Sequence, residues 1–364
     1  MGQRDAYYDY IRAFAALLVL FCHKGKMPGG SIGVSIFFCL SGFLITRILI
    51  RLPSLSVPNI AGFIFRRFMR IFPLYAATLT ATIILAWVYH PDILPRLIAG
   101  LPGLLTFTQL PSGTGYATAV AWSLHAEFWF YLAFPVVFVL TYKRGLLPLV
   151  ITLLIGASIW AKIRDGGTPE SWPLGDGQWL TVLYLDQLMY GAICALLVEK
   201  KARLIRLFSS RLWFWGALTV NLMIAKLAPL SHWHLEMSIA ALLCAAAILH
   251  HESSKTVLKD NFIAWIGRIS FSLYLVHAVV LDYLPYEKLP DALDTPSFFV
   301  VVFALSYLTQ KFIERPGIRL ANAVIKRGAN DAHDFVTDDR RLNDGVGIAA
   351  RVVRRDTDRV ATRW

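Results

Sequence analysis

The sequence predicts an all-α fold, a polytopic integral membrane helix bundle of about 10 transmembrane helices with both termini cytoplasmic. Three observations carry that expectation. Of 364 residues, 56% are apolar and only 16% charged, with mean hydropathy +0.54; a soluble domain of this size could not bury so much apolar surface. The apolar residues fall in ten runs. The basic residues between the runs alternate in density, as the positive-inside rule requires.

In order, the runs cover about 8–23, 31–50, 71–89, 119–140, 145–161, 179–198, 212–229, 235–250, 262–284 and 296–313. The first belongs to the bundle, because its central Arg12 and the following His23-Lys24-Gly25-Lys26 do not make a signal-peptide cleavage site. An even number of spans puts both ends on one side. With the N-terminus in the cytoplasm, fifteen Lys and Arg fall in cytoplasmic connections and seven in outer ones. The outer loops 90–118 and 162–178, rich in Gly, Pro and Thr, are expected to cover a site mouth. Residues 1–320 form the transmembrane domain and 321–364 a cytoplasmic tail, disordered because it mixes both charges with little apolar content. The four cysteines sit in apolar runs without paired spacing, so neither a disulfide frame nor a metal site is expected. A net charge of +12 spread between spans fits membrane topology and not nucleic acid.

Ionisable residues inside the runs stand out, because they are costly in lipid unless they face protein or a wet cavity. Arg12 and His23 are eleven steps apart, which at ~100° and ~1.5 Å per residue is three rotations plus roughly 20°, so both leave one helix face about 16 Å apart. They mark a polar track, or else Arg12 pairs with Asp9 while His23 sits at the outer boundary. Arg66-Arg67-Phe68-Met69-Arg70 lies at the cytoplasmic start of the third run. There Arg66 and Arg70, at i and i+4, project together with Arg67 one step around. Three guanidiniums suit phosphate oxygens and equally suit lipid headgroups.

Gly33, Ser41 and Gly42 allow close helix approach. In the fourth run Ser123 and Glu127 share a face and His125 points elsewhere. Glu127 needs a partner, and Arg12 and His23 are the candidates. In the ninth run Ser270, Tyr274 and His277 share a side, with His277 open to chemistry or to hydrogen-bonded packing. Asp186 is a further intramembrane carboxylate, and Pro316 is expected to end the last helix.

Taken together and in order, five stretches resemble the membrane acyltransferase-3 family of O-acetylating enzymes over about residues 7–320. They are Arg12 with His23; Gly33-Val34 leading to Phe37-Phe38-Cys39-Leu40-Ser41-Gly42-Phe43; Arg66-Arg67-Phe68-Met69-Arg70 with Pro73; Trp122-Ser123-Leu124 with Glu127; and Ser270-Phe271-Ser272-Leu273-Tyr274-Leu275-Val276-His277. The resemblance implies acetyl-CoA as acyl donor and a hydroxyl of a surface or lipid-linked glycan, exopolysaccharide or O-antigen as acceptor, at the inner membrane. A small molecule such as a macrolide is the alternative acceptor. It implies His23 as the catalytic histidine, Arg12 as its partner, Glu127 as the motif glutamate, and Arg66, Arg67 and Arg70 as the coenzyme A phosphate site. Ser123, His125, Tyr274 and His277 are accessory candidates; His125 departs from the small residue expected two positions before Glu127. The rival from another class is a proton-coupled transporter or flippase that uses Arg12, His23, Glu127 and Asp186 as a relay. The lack of internal repeats and the arginine triplet stand against it.

Overall fold

Asp5 opens the first helix by accepting the Tyr7 N–H at 3.1 Å, which satisfies one of the backbone donors a helix start leaves bare. α1 (Ala6–His23) ends where Gly25 takes a φ of +70°, a left-handed turn that favours glycine, and bonds back to the Cys22 carbonyl at 2.8 Å. The computed structural model describes residues 5–25, 30–108, 114–115, 118, 120–165, 182–201, 203–208, 210, 212–227, 233–255, 257–283 and 290–327. After α1 the chain forms α2 (Gly30–Ile50), α3 (Val57–Tyr89), α4 (Leu94–Leu105), α5 (Trp122–Thr141), α6 (Leu147–Asp165) and α7 (Leu185–Glu199). A 3-10 turn (Arg203–Phe208) leads to α8 (Leu212–Leu227), α9 (Trp233–Ser254), α10 (Phe262–Arg268), α11 (Ser270–Tyr283) and α12 (Asp291–Thr309). Every one of these elements is helical.

α2 is apolar around its circumference because it is enclosed, packing on α1, α7 and α9. Its contact with α7 is backbone against backbone. A Cβ at Gly42 would overlap the Leu188 carbonyl, and one at Gly191 would overlap the Cys39 carbonyl. Small residues permit that approach where lipid supplies no hydrophobic drive for helices to associate.

Four described helical segments are long and apolar enough to cross a membrane: Gly30–Ile50, Val57–Tyr89, Trp122–Thr141 and Leu293–Arg327; α10 and α11 make a fifth if counted as one bent span. Large apolar side chains such as Trp87, Leu153, Val300 and Phe312 are exposed, as lipid-facing residues are. These features mark a membrane protein. α1 is not among the four; it carries Asp9, Arg12 and His23 within its length and turns them toward protein.

The helix boundaries differ from expectation in four places. α3 begins at Val57, not near residue 71, because Ser56 is extended and Pro58 fits the first turn. At 33 residues α3 is about 50 Å long, more than the ~30 Å hydrocarbon core. The expected loop 90–118 contains α4, whose Leu97 and Leu104 pack on Leu79 and Ala86 of α3. The single run 262–284 is two helices bent by 72°. At the bend Ile269 leaves helical geometry, and Gln310 donates to the Arg268 carbonyl at 2.8 Å.

Pro316 does not end the last helix. A π turn over Gln310–Glu314 precedes it, in which the Arg315 N–H reaches the Gln310 carbonyl. The wider turn relieves the clash between a proline ring and the preceding turn, and the helix continues to Arg327, past the expected boundary at 320. The expected tail from Gly328 onward lies outside the described residues, as does most of the expected outer loop 162–178.

Candidate active site

Side chains from α1, α2, α3, α5 and α11 enclose a cavity of about 90 Å³. Arg12, Ser41, Arg67, Arg70, Ser123, Glu127, Tyr131, Ser270 and Tyr274 supply its polar lining, against an apolar wall that includes Phe37, Phe38 and Leu44. The predicted residues Arg12, Arg67, Arg70, Ser123, Glu127 and Tyr274 are thus brought together.

Arg66 does not line the cavity. The two arginines that share it are three residues apart, roughly 60° around the helix, and Arg66 lies about 40° beyond Arg70 on the side away from Arg67. The i,i+3 pair Arg67/Arg70 therefore replaces the expected i,i+4 pair.

Glu127 finds neither Arg12 nor His23 as its bonded partner. Ser41 Oγ donates to it at 2.5 Å, and the Tyr131 hydroxyl donates to the same carboxylate oxygen. Arg12 instead holds Asp9 one turn back at 3.1 Å while still facing the cavity. Tyr131 also receives the Arg67 guanidinium over its ring, 5.9 Å from the centroid, so one tyrosine joins the cation to the anion. Neither Ser41 nor Tyr131 stood out in the sequence as a site residue. Tyr131 was findable, since it lies four residues after Glu127 on one helix face; Ser41 read as a packing residue and offered no signal.

Tyr274 closes one side of the cavity. Its hydroxyl donates to the Val120 carbonyl at 2.9 Å and therefore accepts from Ser123 Oγ at 2.8 Å. Its ring also lies 5.9 Å from the ring of His277. His277 is wholly buried, with Nδ1 at 3.0 Å from the Leu273 carbonyl and Nε2 at 2.9 Å from His23 Nδ1. The histidines, 254 residues apart in sequence, thus form a pair adjoining the cavity through Tyr274. His125 joins neither group; it is buried edge-on to Phe107, and its two ring nitrogens make no hydrogen bond.

A second ionic cluster lies elsewhere, between α6, α7 and α9. Lys162 Nζ contacts Asp186 Oδ1 at 2.5 Å and Ser238 Oγ at 2.7 Å, and Ser158 donates to Asp186 at 3.0 Å. Lys162, expected in an outer loop, is thus a buried partner of Asp186. Among the described residues no group of three or more His, Cys, Asp or Glu side chains is arranged to hold a metal ion.

A helical membrane bundle with an arginine-lined cavity beside paired histidines fits either an enzyme or a transporter, and comparison with known proteins decides between them. Residues 5–310 match the acyltransferase domain family; the chain belongs to that family and is an acyltransferase enzyme. Among its relatives, acyltransferase MdmB of Streptomyces mycarofaciens is 27% identical over 312 residues, covering 75% of this chain and 78% of that protein. Peptidoglycan O-acetyltransferase OatA of Listeria monocytogenes is 23% identical over 394 residues, covering 94% of this chain and 60% of that protein. The chain therefore spans less than two thirds of the Listeria protein's length. No solved structure matches it.

Proposed function

We propose that this chain is an integral membrane O-acetyltransferase that moves the acetyl group of acetyl-CoA to a hydroxyl of a surface or lipid-linked glycan. The observation that carries the reading is the meeting, at Tyr274, of an arginine-lined cavity and a histidine pair. The first suits an anionic donor and the second suits proton removal. The acceptor class rests on the name of the Listeria relative, a peptidoglycan O-acetyltransferase.

In this reading ten spans put both termini on the cytoplasmic side of the inner membrane, and the helical domain that ends at Arg327 carries the chemistry. The donor comes from the cytoplasmic side, with its phosphates toward Arg67 and Arg70 on α3. Arg67 and Arg70 face the cavity, and Arg66 adds positive charge on the same helix outside it.

His23 takes the proton of the acceptor hydroxyl as that oxygen bonds to the thioester carbonyl. The carbon–sulfur bond breaks, and the imidazolium returns the proton to the thiolate. General-base assistance of this kind is worth about 10² to 10⁴ in rate. Glu127 accepts from Ser41 and Tyr131 and faces the same cavity as the guanidiniums.

The test is turnover of radiolabelled acetyl-CoA by the purified protein in lipid vesicles supplied with a lipid-linked glycan. The wild type should transfer label, and folded His23→Ala should lose about 10²-fold or more. A folded wild type that neither binds nor turns over the donor would refute the proposal.

A further inference from the structure

The bond between His23 and His277 fixes which nitrogen of His23 carries a proton. A carbonyl oxygen only accepts, so the 3.0 Å contact to Leu273 requires a hydrogen on His277 Nδ1. In the neutral ring Nε2 then holds the lone pair, and it lies 2.9 Å from His23 Nδ1. His23 Nδ1 must therefore be the donor, which leaves Nε2 of His23 as the basic nitrogen. A doubly protonated His277 would reverse the bond, but that places an imidazolium at a position with no exposed surface and a carbonyl and a second imidazole as its partners.

We propose that His277 is a positioning residue that holds His23 in its Nδ1–H tautomer, so that His23 Nε2 faces the reaction as the base. The significance of this for catalysis rests on the transfer proposed above; the tautomer itself does not. The parts are rigidly held. The bond from His277 to Leu273 is four residues back along α11, so it fixes the imidazole against its own helix. The end of α1 is tied down next to His23 by the Lys24–Asp294 ion pair at 2.7 Å. The two imidazoles lie nearly parallel, 10° apart, with centroids separated by 5.1 Å.

In the reaction His277 neither gains nor loses a proton. His23 Nε2 receives the hydroxyl proton while the new carbon–oxygen bond forms and the carbon–sulfur bond breaks, and that proton leaves with the thiol. The bond to His277 stays in place and strengthens as His23 becomes cationic. A histidine base is usually thought of as oriented by a carboxylate; here a neutral ring takes that part, fixing the tautomer without adding an anion.

Nitrogen NMR of the full chain in lipid bilayers, with ¹⁵N-labelled histidine, tests this directly. His23→Asn identifies the His23 signals. The wild type should show His23 with a protonated Nδ1 and a bare Nε2. His277→Phe should release that preference, and His277→Gln, whose amide oxygen can accept the same bond, should restore it. In vesicle assays His277→Phe should lower kcat for acetyl transfer by roughly 10²-fold with donor KM unchanged, and His277→Gln should recover at least about tenfold of that loss. A His23 protonated on Nε2 in the wild type, a tautomer unaffected by His277→Phe, or a kcat that does not follow the tautomer would overturn the inference. If the wild type turns over no acetyl-CoA, the proposed function fails, and the nitrogen spectra still decide the tautomer.

Discussion

Between α6, α7 and α9, Lys162 and Asp186 meet at 2.5 Å with neither side chain exposed, and Ser158 and Ser238 complete the contacts. Around the cavity, Arg12, Arg67 and Arg70 share a lining whose one carboxylate among the described residues, Glu127, is bonded by hydroxyls. Both clusters are charges within helices of the bundle, of the kind that a sequence reading treats alike. One balances its charges one to one and leaves no room. The other turns three guanidiniums and one carboxylate toward an open volume, with Asp9 and Glu314 set behind Arg12 and Arg70. A sealed pair holds helices together; guanidiniums that face a cavity are fit to receive an anion.

The largest effect should come from breaking the sealed pair. Asp186→Ala leaves the Lys162 ammonium buried without its counter-charge, at a cost of about 3–5 kcal/mol. Thermal unfolding in detergent should show a large fall in Tm, and the double variant Lys162→Met/Asp186→Leu should recover most of it. A single variant as stable as the wild type would remove the distinction between the clusters.

At the cavity the effect should appear in ligand affinity and not in stability. A charge-assisted bond to phosphate is worth about 1.5–3 kcal/mol, so Arg70→Ala or Arg67→Ala should raise the acetyl-CoA KM by about 10- to 100-fold while Tm changes little. Arg66→Ala should do less, since Arg66 lies outside the lining. Equal effects at all three positions would point to a diffuse surface field.

The smallest effect belongs to a half-open contact at the start of α1, where His251 Nε2 lies 2.6 Å from Asp5. Burial alone would raise the Asp5 carboxyl, but the hydrogen bond and charge of His251, the Tyr7 N–H and the Arg47 charge together outweigh it and hold it below the usual carboxylate value. A carboxyl lowered on folding stabilises the protein above its unfolded pKa, about 3.9, and that stabilisation is lost as pH falls through the lowered value. The wild type's Tm advantage over Asp5→Asn should therefore hold near neutral pH and shrink in acid; an advantage that grows as the pH drops would contradict it.

The sequence showed the helices far more clearly than their ends or partners. Apolar runs mark where the chain must be enclosed or face lipid, which is why α2 and α5 fall where expected. Other stretches of helix carry no such mark: the arginines of α3 read as surface and the prolines and glycines of α4 as loop, yet Leu97 and Leu104 make α4 a packed helix. Periodicity likewise put Arg12 and His23 on one face and Ser270, Tyr274 and His277 on another, but could not say that the two faces meet. That depends on how α1 and α11 pack, and the His23–His277 bond spans 254 residues. Glu127 misled for a different reason. A buried carboxylate needs donors, and two hydroxyls can serve where a cation was expected.

The π turn at Gln310–Glu314 also bears on how chains of this kind should be aligned. It fits one residue more than an α-helical turn into the same rotation. A related chain one residue shorter between 309 and 315 would keep both flanking segments in phase, so a gap there rotates nothing. What it removes is the slack in front of Pro316. A shortened chain that kept the proline would kink or break at that point, and one that replaced it could run straight to the residue matching Arg327. The gap and the proline should therefore be scored together, as one change.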